Sequence, residues 1–249
     1  MKPTPELLKQ TFDAPEMTVI KASKLFAVNE KTIRRWLKAY GLKTRPMSET
    51  ASLRQSASSN ISVRGEEILI GELLGDGSLS CRSPVSARYS HTSKHRKYLS
   101  WLKEKMSKEG IVFGQTSICT ANKDKYTGYA LRSRSQIELK PFYDLFYPNR
   151  KKIVPSSLRL TPRICLHWYL GDGHKPKNRK HLLLFPLSFH ISSVKSLADQ
   201  LLEFNPVIRK QYKAIGEDYG YAIALSLSFI DYIGGCPEGL SSIYGYKFK

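Results

Sequence analysis

The sequence predicts an α+β body made of two similar halves, preceded by a small all-α head. Three observations support this prediction. An apolar segment that ends in Gly-Asp-Gly occurs twice, with its aspartates at Asp76 and Asp172, 96 residues apart. Each copy begins a run of helical and strand-like sequence in the order αββαββα, of which the copy is the first helix. A serine-rich stretch with little apolar content separates this body from the N-terminal residues.

The head, residues 1–46, has the pattern of short helices joined by a tight turn. Asn29 is a suitable N-cap for the second helix of the pair, and Gly41 is a suitable stop. One face of that helix carries residue types that reach phosphates and guanine edges in a DNA major groove. These residues are Lys31, Thr32, Arg34, Arg35 and Lys38. A basic three-helix bundle with a solvated face is the alternative, but the turn and cap favour a helix-turn-helix that binds DNA.

The remaining chain divides by composition and by the repeat. Residues 47–60 are predicted to form a serine-rich linker, residues 61–150 the first half and residues 151–249 the second half. In the second half, a strand-like segment over 181–191 is predicted to precede a helix over 193–204.

The charge of the chain indicates a polyanionic partner. Forty Lys and Arg against 21 Asp and Glu leave a net charge of +19, which repels a compact chain unless DNA, RNA or an anionic surface balances it. No apolar run reaches the length of about 18 residues that a transmembrane helix needs, and the N-terminus lacks a signal-peptide core. The four cysteines lie far apart, which argues against a zinc ribbon or a disulfide framework. We therefore expect an intracellular protein of the cytoplasm or an organelle matrix, not a secreted one.

The two aspartates stand out against basic surroundings. Between Leu145 and His181 there are nine Lys or Arg, and Asp172 is the only acidic residue. Asp76 is likewise followed by a stretch without Asp or Glu that extends to Lys103. A carboxylate at the end of an apolar helix, flanked by glycines, can hold a hard cation such as Mg²⁺. A single Gly-Asp-Gly is more often only a turn, but two such sites suit metal-assisted phosphodiester hydrolysis.

The two copies resemble the motif of the LAGLIDADG homing endonucleases. Residues 69–77 and 165–173 align with the nine-letter motif. The sequence leading into the second copy, KKIVPSSLRLTPRICLHWYLGDG, and the C-terminal CPEGLSSIYGYKFK are also similar to two-motif members. The resemblance covers about residues 61–249. Leu74 and Leu170 depart from it, because they stand where the motif has its first Asp.

The resemblance implies two motif helices packed side by side at a pseudo-twofold axis, with a saddle-shaped DNA-binding sheet in each half. Small residues allow such helices to approach closely, and Gly71, Gly75 and Gly171 serve this purpose. His167 stands in the second copy where Gly71 stands in the first. This difference predicts an asymmetric and looser contact between the two helices.

The resemblance also implies the chemistry. It assigns catalysis to Asp76 and Asp172, which hold Mg²⁺ (or another divalent cation such as Mn²⁺) at a metal site that includes Gly75 and Gly171. Two motifs in one chain imply a monomer that cleaves both strands of a double-stranded DNA target without an obligatory protein partner. A basic residue usually assists in such sites, and the sequence offers four candidates without choosing among them: Lys94, Lys97, Arg132 and Arg134.

Residues on the predicted strands, on their connecting loops and at the start of the predicted helix over 94–108 are candidates for contacts with bases and phosphates. They are Ser80, Arg82, Arg88, Lys94, Lys97, Arg132, Arg134, His174, Lys175, Lys177 and Arg179. The combined interpretation is a site-specific, Mg²⁺-dependent DNA endonuclease with an appended helix-turn-helix. An RNA-splicing maturase and a non-cleaving DNA-binding regulator on the same fold are alternatives. Both aspartates favour cleavage over RNA binding, since RNA binding does not need them.

Overall fold

The computed structural model describes residues 2–14, 17–43, 56–123, 126–212 and 219–249, with the backbone alone for 121–123, 126, 127 and 212. The chain divides into two compact units. The small unit is Met1–Ser56 together with the hairpin tip Arg82–Ser86, and the large unit is Ala57–Cys81 together with Ala87–Lys249. Within these described ranges, no helix has the length and apolar character needed to cross a membrane.

The small unit contains three helices: α1 (Pro5–Asp13), α2 (Val19–Leu25) and α3 (Glu30–Ala39). As predicted, the Asn29 side chain caps α3 by accepting the N–H of Lys31 at 2.9 Å. Gly41 follows the end of α3 with φ +65°, a conformation that glycine adopts without strain. The helices enclose their own small core of Leu8, Ala22, Ile33, Trp36 and Leu37. The assignment of this unit as a DNA-binding helix-turn-helix stays a prediction.

The predicted linker is only partly within the described residues. Residues 47–55 lie outside them. The segment from Ala57 onwards belongs to the large unit, where the Ser58 hydroxyl donates to Glu138 Oε1 at 2.7 Å.

The large unit is α+β and repeats one order of elements. The first half consists of α4 (Val63–Leu74), β1 (Ser78–Ser83), β2 (Ser86–Ser93), α5 (Arg96–Lys108), β3 (Phe113–Lys123), β4 (Tyr126–Ser133) and α6 (Lys140–Phe146). The second half consists of α7 (Pro162–Asp172), β5 (Gly173–His174), β6 (His181–Leu184), α8 (Ile191–Asp199), β7 (Val207–Tyr212), β8 (Tyr219–Ser226) and α9 (Ser228–Tyr232). The chain ends with α10 (Ser241–Tyr244) and a 3₁₀ turn, Gly245–Lys247. The predicted αββαββα order of both halves is confirmed.

Each half forms a four-stranded sheet of the same topology, β1-β2-β4-β3 in the first and β5-β6-β8-β7 in the second. The second sheet is smaller than predicted. The strand expected over 181–191 ends at Leu184, where Pro186 follows and offers no N–H for a ladder. The helix expected over 193–204 is α8 followed by a separate 3₁₀ turn, Leu202–Phe204.

The two motif helices, α4 and α7, lie in the core of the large unit. Their buried apolar residues include Leu69 and Leu73 from α4 and Trp168 and Tyr169 from α7, all 0% exposed. Each helix begins on a hydroxyl cap, since Ser62 accepts the N–H of Gly65 and Thr161 accepts that of Ile164. Both helices therefore start from the same local signal and bring their C-terminal ends, with the two aspartates, to one place.

Candidate active site at the ends of the two motif helices

The motif helices touch without a gap at Gly71. A Cβ on Gly71 would lie 2.5 Å from the carbonyl oxygen of Ile164 and 2.6 Å from His167 Cβ, so only glycine fits there. Further along, a Cβ on Gly75 would lie 3.6 Å from Gly171 Cα, which is ordinary contact. The expected loosening by His167 is wrong, because the hydrogen of Gly71 leaves the space that the histidine needs.

The same contact brings the two aspartates to adjacent helix ends. Asp172 is the last residue of α7 and is half-buried, whereas Asp76 follows α4 and is exposed. A Cβ on Gly171 would lie 3.7 Å from Asp76 Oδ2. The N–H of Gly77 donates to the carbonyl oxygen of Glu72 at 2.8 Å, which closes the turn that carries Asp76.

The electrostatics of the pair indicate a site for a cation. Burial raises the pKa of Asp172 to about 7, and the negative charge of Asp76 adds to the shift. The charges of Lys152 and Lys247 act in the opposite direction. Two carboxylates held close together in a partly buried site repel each other, and a bound divalent cation would relieve that repulsion.

Two lysines occupy equivalent places beside the aspartates. Lys152 Nζ donates to the carbonyl oxygens of Gly75 and Gly77, at 3.0 and 2.8 Å. Lys247 Nζ donates to those of Leu170 and Gly171, at 2.7 and 3.1 Å. Each ammonium group therefore satisfies free carbonyls at the negative end of one motif helix.

Sequence reasoning did not select these two lysines, although they lie beside the aspartates. Lys152 and Lys247 lie 95 residues apart, close to the 96-residue spacing of the aspartates, and this interval is the signal that could have found them. Of the four candidates, Lys97 donates instead to Ser242 Oγ, and Arg132 lies exposed on β4. Burial lowers the pKa of both Lys152 and Lys247, in the case of Lys247 to about 8.

The donor set fits a hard divalent cation. Asp76 and Asp172 supply carboxylate oxygens, and water and phosphate oxygens are the usual further ligands of Mg²⁺. The carbonyl oxygens of Gly75 and Gly171, predicted to belong to the metal site, each already accept a lysine hydrogen bond. Across the described part of the chain, no group of three or more His, Cys, Asp and Glu side chains forms a separate metal site.

A buried polar cluster lies one turn before the aspartates. Glu72, 1% exposed, accepts hydrogen bonds from the hydroxyls of Tyr89 (3.0 Å) and Tyr98 (2.7 Å). Its carboxylate also contacts Nδ1 of His91 at 2.8 Å and Nδ1 of His167 at 2.9 Å. Burial alone would raise the pKa of Glu72, but the hydrogen bonds and charges of His167 and His91 hold it well below its usual range.

Sequence reasoning treated this stretch as apolar helix and missed the cluster. Two opposing effects also set the pKa of His91. Burial lowers it, but the hydrogen bond and charge of Glu72 raise it above its usual value. The members come from α4, β2, α5 and α7, so no local pattern connects them.

The residues predicted to contact DNA lie mostly on exposed positions. In the large unit, the exposed residues are Ser80, Arg88, Lys94, Lys97, Arg132, Arg134, His174, Lys177 and Arg179, whereas Lys175 is half-buried. In the small unit they are Lys31, Arg34, Arg35, Lys38 and Arg82, whereas Thr32 is half-buried. The exposed side chains are thus available for contacts. Only for the residues on strands does the strand pairing place the side chains on one common face.

Comparisons with known proteins agree with this architecture. The model of the LAGLIDADG DNA endonuclease family matches residues 66–215, more than half of the chain. The structure of the homing endonuclease I-WcaI bound to its DNA recognition sequence is similar at 18% identity and a TM-score of 0.63, covering 84% of this chain and 96% of that chain. The structure of I-DmoI in complex with DNA and Ca is more distant, at 14% identity and a TM-score of 0.45, covering 73% of this chain and 97% of that chain. Curated protein sequences contain no significant match. On its motifs, its topology and the family match, the chain belongs to the LAGLIDADG DNA endonuclease family.

Proposed function

We propose that this protein is a site-specific endonuclease that cleaves both strands of duplex DNA as a monomer, with a divalent cation held by Asp76 and Asp172. The observation that carries the proposal is the meeting of two motif-helix ends, each with one aspartate and one lysine. The net charge of +19 suits a partner as negative as DNA.

The positions of the residues support a role for each in this proposal. The carboxylates of Asp76 and Asp172 provide the negative charge that binds the cation. When bound, Mg²⁺ would supply Lewis-acid polarisation of the phosphate and activation of water. Lys152 and Lys247 hold the ends of α4 and α7 in place and supply positive charge next to the reacting phosphate.

The test is cleavage of a duplex DNA library in Mg²⁺ by the wild-type chain and by Asp76→Asn and Asp172→Asn. We expect sequence-specific double-strand breaks that fall at least about 100-fold in either variant, the usual cost of losing one charge-stabilising group. Asp144→Asn, an exposed aspartate on α6, is the matched control and should cut normally. Replacing Mg²⁺ by Ca²⁺ should leave binding intact and stop cleavage.

Other outcomes identify the alternatives. Specific DNA binding by the wild type without cleavage in Mg²⁺ or Mn²⁺ would overturn the nuclease and indicate a regulator. Tight binding of a structured RNA, with splicing activity that survives Asp76→Asn, would indicate a maturase.

We propose further that the small unit binds DNA through α3. The supporting observation is the run of exposed basic side chains on α3, with Arg34 paired only loosely to Glu30 at 3.7 Å. Replacing Lys31, Arg35 and Lys38 by alanine should lower the slope of log affinity against log salt by about 0.9 for each phosphate that these side chains neutralise. Lys9→Ala, an exposed lysine on α1, is the control, and an unchanged slope in the triple variant would contradict this role.

A further inference from the structure

The outward face of the first sheet, meaning the side opposite its buried apolar residues, is polar and basic. Along β2, Arg88, Ser90 and Thr92 alternate with buried Ala87, Tyr89 and His91. Ser90 pairs with Arg132 of β4, so these side chains lie on the same face. On β1, Ser80 is exposed next to buried Leu79. This face therefore offers hydrogen-bond donors and acceptors in several neighbouring positions.

The outward face of the second sheet has a different composition. Leu183 of β6 pairs with Ala224 of β8, and Ala224 pairs in turn with Val207 of β7. These three residues make an apolar stretch, which His174 of β5, paired with Leu183, extends at one edge of the sheet. Val207 is 53% exposed at the other edge. Arg209 pairs with Ala222 and is the exposed arginine of this face.

The conformation of Arg209 follows from the small residues beneath it. Its guanidinium NH1 lies 3.4 Å from Nε2 of His181, although β8 separates β7 from β6. The side chain can cross β8 because Ala222, Ala224 and Ser226 are the residues that β8 presents there. Among the described residues, the Arg209 side chain therefore extends over small residues of β8, two alanines and one serine.

We infer that the protein reads the two halves of its DNA site by different chemistry. The first sheet reads its half-site by hydrogen bonds from Arg88, Arg132 and the hydroxyls beside them. The second sheet reads its half-site by apolar contact of Leu183 and Val207 with thymine methyl groups, and Arg209 reads one guanine. The thymine C5-methyl group is the apolar feature of the major groove, and arginine is the usual partner of guanine O6 and N7. The inference rests on the proposed function, since it requires specific binding of duplex DNA by both sheets.

The test begins with a randomised duplex library bound to the Asp172→Asn variant in Ca²⁺. The base preference that disappears with Arg132→Ala locates the first half-site, and the guanine preference that disappears with Arg209→Ala locates the second. We expect thymines beside that guanine.

Deoxyuridine then separates methyl contact from hydrogen bonding, since it differs from thymine only by the C5-methyl group. Replacing a thymine of the second half-site by deoxyuridine should weaken binding about fourfold, the equivalent of ~0.8 kcal/mol for one buried methyl group. The same replacement in the first half-site should change binding less than twofold. In Leu183→Ala and Val207→Ala, both outward-facing changes, the sensitivity to deoxyuridine should disappear.

Two failures can be told apart. If no sequence is enriched from the library by the wild type or the variant, the proposed function itself fails. If a sequence is enriched but deoxyuridine affects both half-sites to the same degree, the proposed function stands and the inference is overturned.

Discussion

The two motif helices share a backbone plan but differ in the residues that they present to each other. At equivalent motif positions, α4 has Gly71 and Glu72, whereas α7 has His167 and Trp168. Gly71 leaves space for His167, and the His167 ring contacts the carboxylate of Glu72. The interface is thus complementary rather than symmetric.

This difference gives a physical reason for the two halves to be joined in one chain. A symmetric pair of first halves would carry a glutamate at both equivalent positions, and a pair of second halves would carry a histidine at both. Like charges buried together are costly, whereas the pairing of Glu72 with His167 compensates each group. The partner of each motif helix is therefore specified by charge as well as by shape.

The largest effect is expected for Glu72→Leu. The change leaves two tyrosine hydroxyls and two histidines buried without their shared acceptor, so we expect a loss of about 3–5 kcal/mol in the free energy of unfolding. The control is Glu67→Leu on the same helix, because Glu67 pairs with Arg163 of α7 at a partly exposed position. That change should cost less than about 1 kcal/mol in denaturant unfolding. Equal losses in the two variants would show that the buried cluster does not specify the interface.

The lysines allow the two halves to be compared in catalysis. Lys152→Met and Lys247→Met should each slow single-turnover cleavage by about 10²–10³-fold, as expected when a preorganised positive charge is removed. Lys247 is the more buried of the two, at 6% exposed, so its replacement should also lower the melting temperature more. Lys151→Met, an exposed neighbour, should change neither quantity. Normal cleavage by both methionine variants would exclude the lysines from the site.

The close contact of the helices can be tested at Gly71. Gly71→Ala places a Cβ 2.5 Å from the Ile164 carbonyl oxygen, which forces α4 and α7 apart. We expect a loss of about 1–3 kcal/mol in the free energy of unfolding, the usual cost of overpacking. Gly114→Ala, where a Cβ would meet nothing within 4 Å, should stay within about 0.5 kcal/mol of wild type. If both variants unfold alike, the helices are less closely packed than the structure indicates.

The smallest effect concerns pH. The pKa of His91 is raised in the folded protein, so the folded state binds this proton more tightly than the unfolded state does. The resulting stabilisation is complete below the unfolded pKa of about 6.5 and is lost as pH rises through the higher folded value. The difference in unfolding free energy between wild type and His91→Gln should therefore shrink from pH 6 towards alkaline pH. A difference that is constant with pH would contradict a raised pKa.

Local sequence patterns predicted much of the fold. The caps at Asn29 and Gly41 and the repeated αββαββα order depend on neighbouring residues, and the structure confirms them. The strand predicted over 181–191 was too long, because apolar content outweighed the effect of Pro186 on a sheet ladder. The role of α3 in DNA binding and the individual base contacts stay predictions, because exposure of a basic side chain does not identify its partner.

The sequence by itself determined the duplicated architecture and the two aspartates, because glycines, caps and apolar periodicity act over a few residues. Only the tertiary structure decided what surrounds the aspartates. Lys152 reaches the end of α4 from 76 residues beyond Asp76, and Glu72 meets His167 across 95 residues of chain. Such pairs form because packing brings distant groups into a region of low dielectric, where unpaired charges are costly and each must find a partner. The sequence thus predicts which helix ends carry the aspartates, and tertiary contacts set the electrostatic environment of those side chains.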